Sequence, residues 1–299
     1  MVRRFAALRG FLFVSNNMLK FTKKTPHPSL RNSIRSYWLM ESEGAEETMD
    51  LLVPDGYPEL FFVLNASLKM EHFSGEKNWA QHTEGGLIGQ ATAQFAFQPT
   101  PFSKMLFVKL YPWTPQQLFG IPAWQLNDLA LDLGAVTHDP AFRQLSEKVY
   151  SGENLEDIVA LLDAFFFKKL SERKDENSFL QFAVRQIYNS NGTISMDSMT
   201  RHAHASQRYV EKVFKQKIGV SPKQYAQIIR VKKTSMYLLD PRFHFNIREI
   251  ADRLEYYDQS HLLKDFKAVM GQSPTAFLQR QIIFSEPDLM SYLDQWDYS

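Results

Sequence analysis

The sequence predicts an α+β protein of two domains: a β-rich N-terminal barrel or sandwich, then an all-α C-terminal domain of paired helix-turn-helix units. Three observations lead there. Phe214 to Pro222 (FKQKIGVSP) and Phe266 to Pro274 (FKAVMGQSP) are two copies of one phrase set 52 positions apart. Residues 30 to 112 hold several short β-branched and aromatic runs bounded by Gly and Pro. Charge is partitioned: residues 178–283 carry 16 Lys and Arg against 8 Asp and Glu, net +8, whereas the rest carries 18 against 25, net −7.

The 299 residues suit two domains of the usual size, roughly 100 to 200 residues each. Residues 1–24 read as an N-terminal extension. Arg3 and Arg4 precede an apolar stretch, but Arg9 interrupts it and no small-residue cleavage site follows, so a signal peptide is not expected and Met18 is an alternative start. No run approaches the roughly 18 apolar residues of a membrane span. With no Cys, disulfides, thiolate zinc sites and a cysteine nucleophile are excluded, which fits a reducing cytoplasm.

Residues 25–150 form the β-rich domain. Leu51 to Val53 and Leu60 to Leu64 flank PDGYPE, and Ala93 to Phe97 and Met105 to Tyr111 supply later runs, as expected for short strands joined by turns. His27, His72, His82 and His138 are scattered without an H-x-H pair on a strand, so neither a metal nor another cofactor is expected. The one H-x-H, His202 and His204, falls in a turn between helices. Residues 151–177 read as a helix and linker. Leu155, Ile158, Val159, Leu162, Phe165, Phe166 and Leu170 share an apolar face that either packs on its own barrel or pairs with a second subunit, with homodimerisation the expectation. The charged SERKDEN stretch, Ser171 to Asn177, is the linker.

The helical domain, 178–283, divides into two units. In the first, Ser195 starts a short helix from Met196 to His202, and Ser206 caps a second whose Val210, Val213, Phe214 and Ile218 recur at intervals of three and four, with Gly219 as the stop. Gln207, Arg208, Glu211, Lys212, Lys215 and Gln216 are left outside, a face of long polar side chains that suits a DNA groove. Ser221, Pro222 and Gln224 then form a capping-box start for a long helix to about Leu239, its buried side offered by Tyr225, Ile228, Ile229, Met236 and Leu239. The second unit repeats this plan. Asn246 and Glu249 make another capping box, Asp258 caps a helix with Leu262, Phe266, Val269 and Met270 inward, and Gly271 with Ser273 and Pro274 repeats the stop and restart. Ser260, His261, Leu263, Lys264 and Lys267 lie on other faces. Two copies cannot stack into a solenoid, which needs about three, so they read as a paired device. The acidic stretch 284–299 reads as a solvated tail.

SQRYVEKVFKQKIGVSPKQY (206–225) and EYYDQSHLLKDFKAVMGQSPTAF (255–277) resemble the tandem helix-turn-helix domain of the AraC/XylS family of transcriptional regulators, over residues 178–283. Glu255 departs from the pattern where Gly is common in the turn, and Glu211 places an acid on the first recognition face. The resemblance implies sequence-specific binding to double-stranded promoter or operator DNA, through two recognition helices in major-groove segments about 34 Å apart. It puts base reading on the early exposed turns, Arg208, Glu211 and Lys212 in the first helix and Ser260, His261 and Lys264 in the second, with Gln207 and Gln259 among the DNA-binding residues. Lys215 and Lys267 are assigned to phosphate. SYW at 36–38, VPDGYPEL at 53–60 and GQ at 89–90 resemble the cupin-like N-terminal domain of some of these regulators, over about residues 25–130. That implies a sensor or dimerisation domain in a cytoplasmic protein without catalytic activity. Trp38, Tyr57, Phe61, Phe107, Tyr111 and Trp113 either line an apolar pocket for a small-molecule effector or simply fill the core. The alternatives are a cupin-type metalloenzyme fused to a DNA-binding domain, and a constitutive DNA-binding protein with a purely structural N-terminal domain.

Overall fold

The computed structural model describes residues 19–42, 50–65, 67–72, 79–171, 178–240 and 242–279. The start of the extension (1–18), most of the charged linker (172–177) and the acidic tail (284–299) lie outside the described residues.

Ten strands build the N-terminal half among the described residues: β1 Leu19–Lys24, β2 Ile34–Ser42, β3 Asp50–Leu52, β4 Glu59–Asn65, β5 Leu68–His72, β6 Trp79–His82, β7 Gly85–Ile88, β8 Phe95–Pro99, β9 Lys104–Leu110 and β10 Ala130–Asp132. They form a six-stranded sheet in the order β1-β2-β9-β4-β7-β10 and a four-stranded sheet in the order β3-β8-β5-β6. All the pairings are antiparallel. The two sheets face each other as an open barrel. Residues 19–24, read from the sequence as the end of an extension, are the edge strand β1, whose Lys20, Lys23 and Lys24 discourage pairing with another chain.

Period-two alternation sorts the strand side chains into two layers. Phe61 and Val63 of β4, Met105 and Phe107 of β9, and Trp38 and Met40 of β2 point between the sheets. Leu60, Phe62, Leu106, Val108, Leu110 and Tyr37 point the other way, onto a helical layer. That layer comprises α1 Thr114–Phe119, α2 Leu133–Val136, α3 Pro140–Tyr150 and α4 Leu155–Ser171. The apolar face of α4 packs on its own barrel through Ile158, Leu162 and Phe166. Tyr37 Oη donates to Asp163 Oδ1 (2.7 Å), and Lys24 bonds Glu156 (2.5 Å) across the same seam. The helical turn splits the three phenylalanines: Phe166 is buried, Phe165 half-buried and Phe167 54% exposed.

The C-terminal half comprises α5 Ser178–Asn189, α6 Met196–Ala203, α7 Gln207–Lys217, α8 Pro222–Leu239, α9 Ile247–Arg253, α10 Gln259–Met270 and α11 Pro274–Gln279. The expected caps close: Ser195 on α6, Ser206 on α7, Asp258 on α10, and full capping boxes at Ser221/Gln224 and Asn246/Glu249. The caps Ser206 and Asp258 are 52 apart, but Ser195 and Asn246 are 51 apart, so the turn region of the second unit absorbs one extra residue.

Each unit has its own core. The first is centred on Val210, Phe214, Ile218 and Ile187, the second on Phe266, Val269, Met270 and Phe277, with Ile250, Leu254 and Leu262 beside it. The long helix α8 serves both, giving Tyr225, Ala226 and Ile229 to the first and Val231 and Met236 to the second.

Candidate nucleic-acid interface

The recognition helices α7 and α10 are anchored from behind and open in front. In α7, Val210 and Phe214 are buried, while Gln207, Arg208, Glu211, Lys212 and Lys215 are exposed on the opposite side. In α10, Leu262, Phe266, Val269 and Met270 are buried, while Gln259, Ser260, His261, Lys264 and Lys267 are exposed. The apolar spacing of three and four residues leaves one polar stripe per helix.

Local bonds organise these faces. Gln207 Nε2 donates to Glu211 Oε1 (2.9 Å), one turn on, so the acid has a partner on its own helix. His261 is held rather than loose. Its ring meets Tyr256 edge-on (5.3 Å between centroids), and Nε2 lies 3.8 Å from Asp265 Oδ2, while Asp265 Oδ1 accepts from Gln227 Nε2 on α8 (2.9 Å). Three large side chains beside these faces were not among the reading residues expected from the sequence: Tyr209, 53% exposed, Tyr257, 93% exposed, and Leu263, 40% exposed. Their signal was present, since Tyr209 and Leu263 fall off the apolar period of their helices and Tyr257 directly precedes the cap Asp258.

Glu255 adopts φ +55°, the left-handed conformation in which Gly is most at ease. Glu255 N–H bonds Asp252 O (3.3 Å), Tyr256 N–H bonds Ala251 O (2.9 Å), and the Glu255 carboxylate accepts from Thr193 Oγ1 in the first unit (3.0 Å). The turn thus forms with a side chain where a glycine is common. At the first turn, His204 caps α6 at φ +47° and His202 lies flat on Phe182, 3.6 Å between ring centroids.

The six aromatic residues read from the sequence as either lining an apolar pocket or filling the core divide into two groups. Trp38, Phe61 and Phe107 lie between the sheets; Trp38 Nε1 donates to Ser36 Oγ (2.8 Å), and Phe61 touches Phe107 and His82 (6.4 and 5.2 Å between centroids). His82 Nδ1 lies 2.7 Å from Asp132 Oδ1. Tyr57, Tyr111 and Trp113 lie at the end of the barrel against the helical half. There Tyr111 stacks on Trp113 (5.1 Å), and Tyr57 meets Tyr111 edge-on (5.8 Å) and Tyr188 of α5 (6.3 Å). Tyr57 and Trp113 belong to the core of the first helix-turn-helix unit.

The same end of the barrel carries a buried ionic network. Lys109 Nζ bonds Asp55 Oδ2 (2.6 Å) and Glu59 Oε1 (3.1 Å), and Lys232 Nζ of α8 donates to Tyr188 Oη (2.6 Å). Burial disfavours every charge here, but attraction to Asp55 and Glu59 overrides it at Lys109, which stays above the ordinary lysine range. Burial pulls Asp55 upward, yet Lys109 and Lys232 hold it below the usual carboxylate range. Burial pushes Glu59 up despite Lys109. Burial also holds Lys232 well below the ordinary lysine value, although Asp55 opposes this.

Comparison with known proteins divides the chain along the same line. Residues 199–280 match a family model described as a helix-turn-helix domain, and residues 22–132 match a domain of unknown function, DUF6597. The Msm operon regulatory protein of Streptococcus mutans is 24% identical over 135 residues, 44% of this chain and 48% of that protein. An uncharacterized HTH-type transcriptional regulator, YtdP of Bacillus subtilis, is 18% identical over 146 residues, 46% of this chain and 19% of that protein. The chain therefore spans about half, or less, of the length of these relatives. Among solved structures, ToxT of Vibrio cholerae is 12% identical with a TM-score of 0.42, covering 88% of this chain and 98% of that one. No helix among the described residues is long and apolar enough to cross a membrane.

Proposed function

We propose that this chain, whose C-terminal half is a tandem helix-turn-helix domain of the AraC type, is a sequence-specific transcriptional regulator that acts on double-stranded DNA in the cytoplasm. The observation that carries the reading is the pair α7 and α10. They share a buried scaffold but display different polar faces, within a region of net charge +8. The basic charge attracts phosphate irrespective of sequence, and the unlike faces specify an asymmetric site.

Arg208 and Lys212 suit guanine acceptors, Glu211 suits cytosine N4, and Ser260, His261 and Lys264 read the second segment. Tyr209, Tyr257 and Leu263 join them as apolar surface for thymine methyls and sugars. The N-terminal domain controls binding through a small-molecule effector or through dimerisation, by favouring a DNA-competent arrangement. A homodimer is supported by the face of α4 turned away from the barrel, where Ala160, Ala164 and Phe167 are exposed at helical spacing. Asp157 and Lys168, exposed near the two ends of this face, are of opposite charge, as an antiparallel pairing of two copies requires. Regulation, and no chemical step, is the function proposed.

The test is binding to DNA upstream of the chain's own and neighbouring genes, measured at several salt concentrations. Wild-type protein is expected to select particular segments, and Lys212→Ala with Lys264→Ala to lose about 1–3 kcal/mol per base contact. Absence of sequence preference, or a double variant that binds unchanged, overturns the reading.

A further inference from the structure

The two helix-turn-helix units have separate cores, yet the N-terminal domain touches both at corresponding places. Asn127 Nδ2 donates to Gly219 O, just past the end of α7 (2.7 Å). Gln94 N–H donates to Val269 O in the last turn of α10 (3.1 Å), and Gln272 Nε2 donates to Gln94 Oε1 (3.3 Å). Val269 O is among the last carbonyls of α10, which lack partners within the helix, and Gly219 O lies just beyond α7, so the N-terminal domain supplies one backbone-directed donor at the C-terminal end of each recognition helix.

Between these points the Val53–Pro58 loop is seated on α8. Val53 enters the core of the second unit and Tyr57 that of the first, so five residues of one loop, Val53 to Tyr57, bridge two cores. Gly56 makes the approach possible: at φ +86° it lies so close that a β-carbon would come within 2.8 Å of Tyr225 Oη and 2.9 Å of Ile229 Cδ1. Tyr225 Oη donates to Gly56 O (3.3 Å). Gly219 is tighter still, its absent β-carbon 2.1 Å from Asn127 Oδ1. The glycine that stops the first recognition helix is thus also the contact with the other domain. The early turns of both helices, which carry the reading residues, remain exposed.

We propose that the N-terminal domain is the gauge of the DNA-reading pair. It holds α7 and α10 by their C-terminal ends and wedges α8 with the Val53–Pro58 loop, so that spacing between the recognition helices is set across domains and not by α8 alone. This rests on the DNA-binding reading above and names its positioning residues: Gly56, Tyr57, Val53, Asn127 and Gln94. A pair held at one spacing engages two groove segments without an ordering cost, and anything that shifts the barrel end shifts that spacing.

The chain has no Cys, so exposed Gln216→Cys on α7 and Ala268→Cys on α10 can be spin-labelled in the full-length protein and their separation measured. The unmodified gauge is expected to give one narrow distance distribution. Gly56→Ala is expected to shift or broaden it, and to weaken binding to a two-segment DNA site about tenfold or more while single-segment binding changes less than about twofold. Asn127→Ala with Gln272→Ala, which removes two part-buried hydrogen bonds between the domains and leaves the Gly56 contact in place, is expected to broaden the distribution to a smaller extent. It decides the matter if Gly56→Ala fails to fold. A distribution that stays narrow and unshifted in the folded variants overturns the gauge. A wild-type protein without sequence preference overturns the DNA reading instead, and the distance measurement separates the two failures.

Discussion

Glu255 holds a left-handed backbone conformation that costs a residue with a β-carbon about 1–2 kcal/mol. Burial of Leu254 and Tyr256 on either side imposes it, and the bond from Thr193 offsets part of the strain. Asn tolerates this conformation, so Glu255→Asn is expected to raise stability by about 0.5–1 kcal/mol, read as a higher urea midpoint at unchanged slope. A lower midpoint would mean that the Thr193 bond outweighs the strain. Lys215 and Lys267 lie in the last turns of α7 and α10, and the proposal assigns them to phosphate rather than to base reading. Replacing both by Ala should weaken binding to all DNA alike and flatten the salt dependence by about 0.9 log units per lysine. A change in sequence preference instead would move these lysines into the reading set.

Strands β4 and β9 meet the Val53–Pro58 loop at Lys109, whose two carboxylate partners come from the loop (Asp55) and from β4 (Glu59). Removing one partner of a buried ion pair strands the other, so Asp55→Ala is expected to cost about 3–5 kcal/mol. It also removes the acceptor for Tyr57 N–H (3.0 Å). Lys232 of α8 differs in kind. Burial already disfavours its charge, so Lys232→Met, which gives up the hydrogen bond to Tyr188 and the contacts of Nζ with the Tyr57 and Tyr188 rings but relieves desolvation, should cost less than Asp55→Ala. Chemical denaturation of the two variants checks this, and equal losses would show Lys232 to be as firmly ion-paired as Lys109. The locations of these groups were not legible in the sequence. Asp55, Glu59, Lys109 and Lys232 are brought together by strand pairing and domain contact across more than a hundred residues.

At the scale of the molecule, α4 carries two faces with different fates. One packs on the barrel, one of the two readings that the apolar spacing left open, where pairing with another subunit was the expectation. The other leaves Phe167 54% exposed beside two alanines. Phe167→Glu should leave folding intact because the side chain is already exposed, and should turn a sedimenting dimer into a monomer. A wild-type chain that sediments as a monomer at all concentrations removes this surface from consideration. Charge acts at the same scale, since the near-neutral total conceals a basic helical region and an acidic remainder.

Sequence by itself determined the local grammar: caps at Ser195, Ser206, Ser221, Asn246 and Asp258, stops near Gly219 and Gly271, and inward stripes in α7, α8 and α10. These features are set by residues within one or two helical turns of one another, and repetition at 52 residues made them legible twice. Tertiary structure decided where the aromatic residues of the barrel go, because the face a strand side chain takes depends on register with partners far away in sequence. That is why Trp38, Phe61 and Phe107 share the barrel interior, whereas Tyr57, Tyr111 and Trp113 lie in the segments flanking β4 and β9 and pack against the helical half. It decided as well that VPDGYP is seated on α8 between two helical cores, since no local period can encode the meeting of two domains.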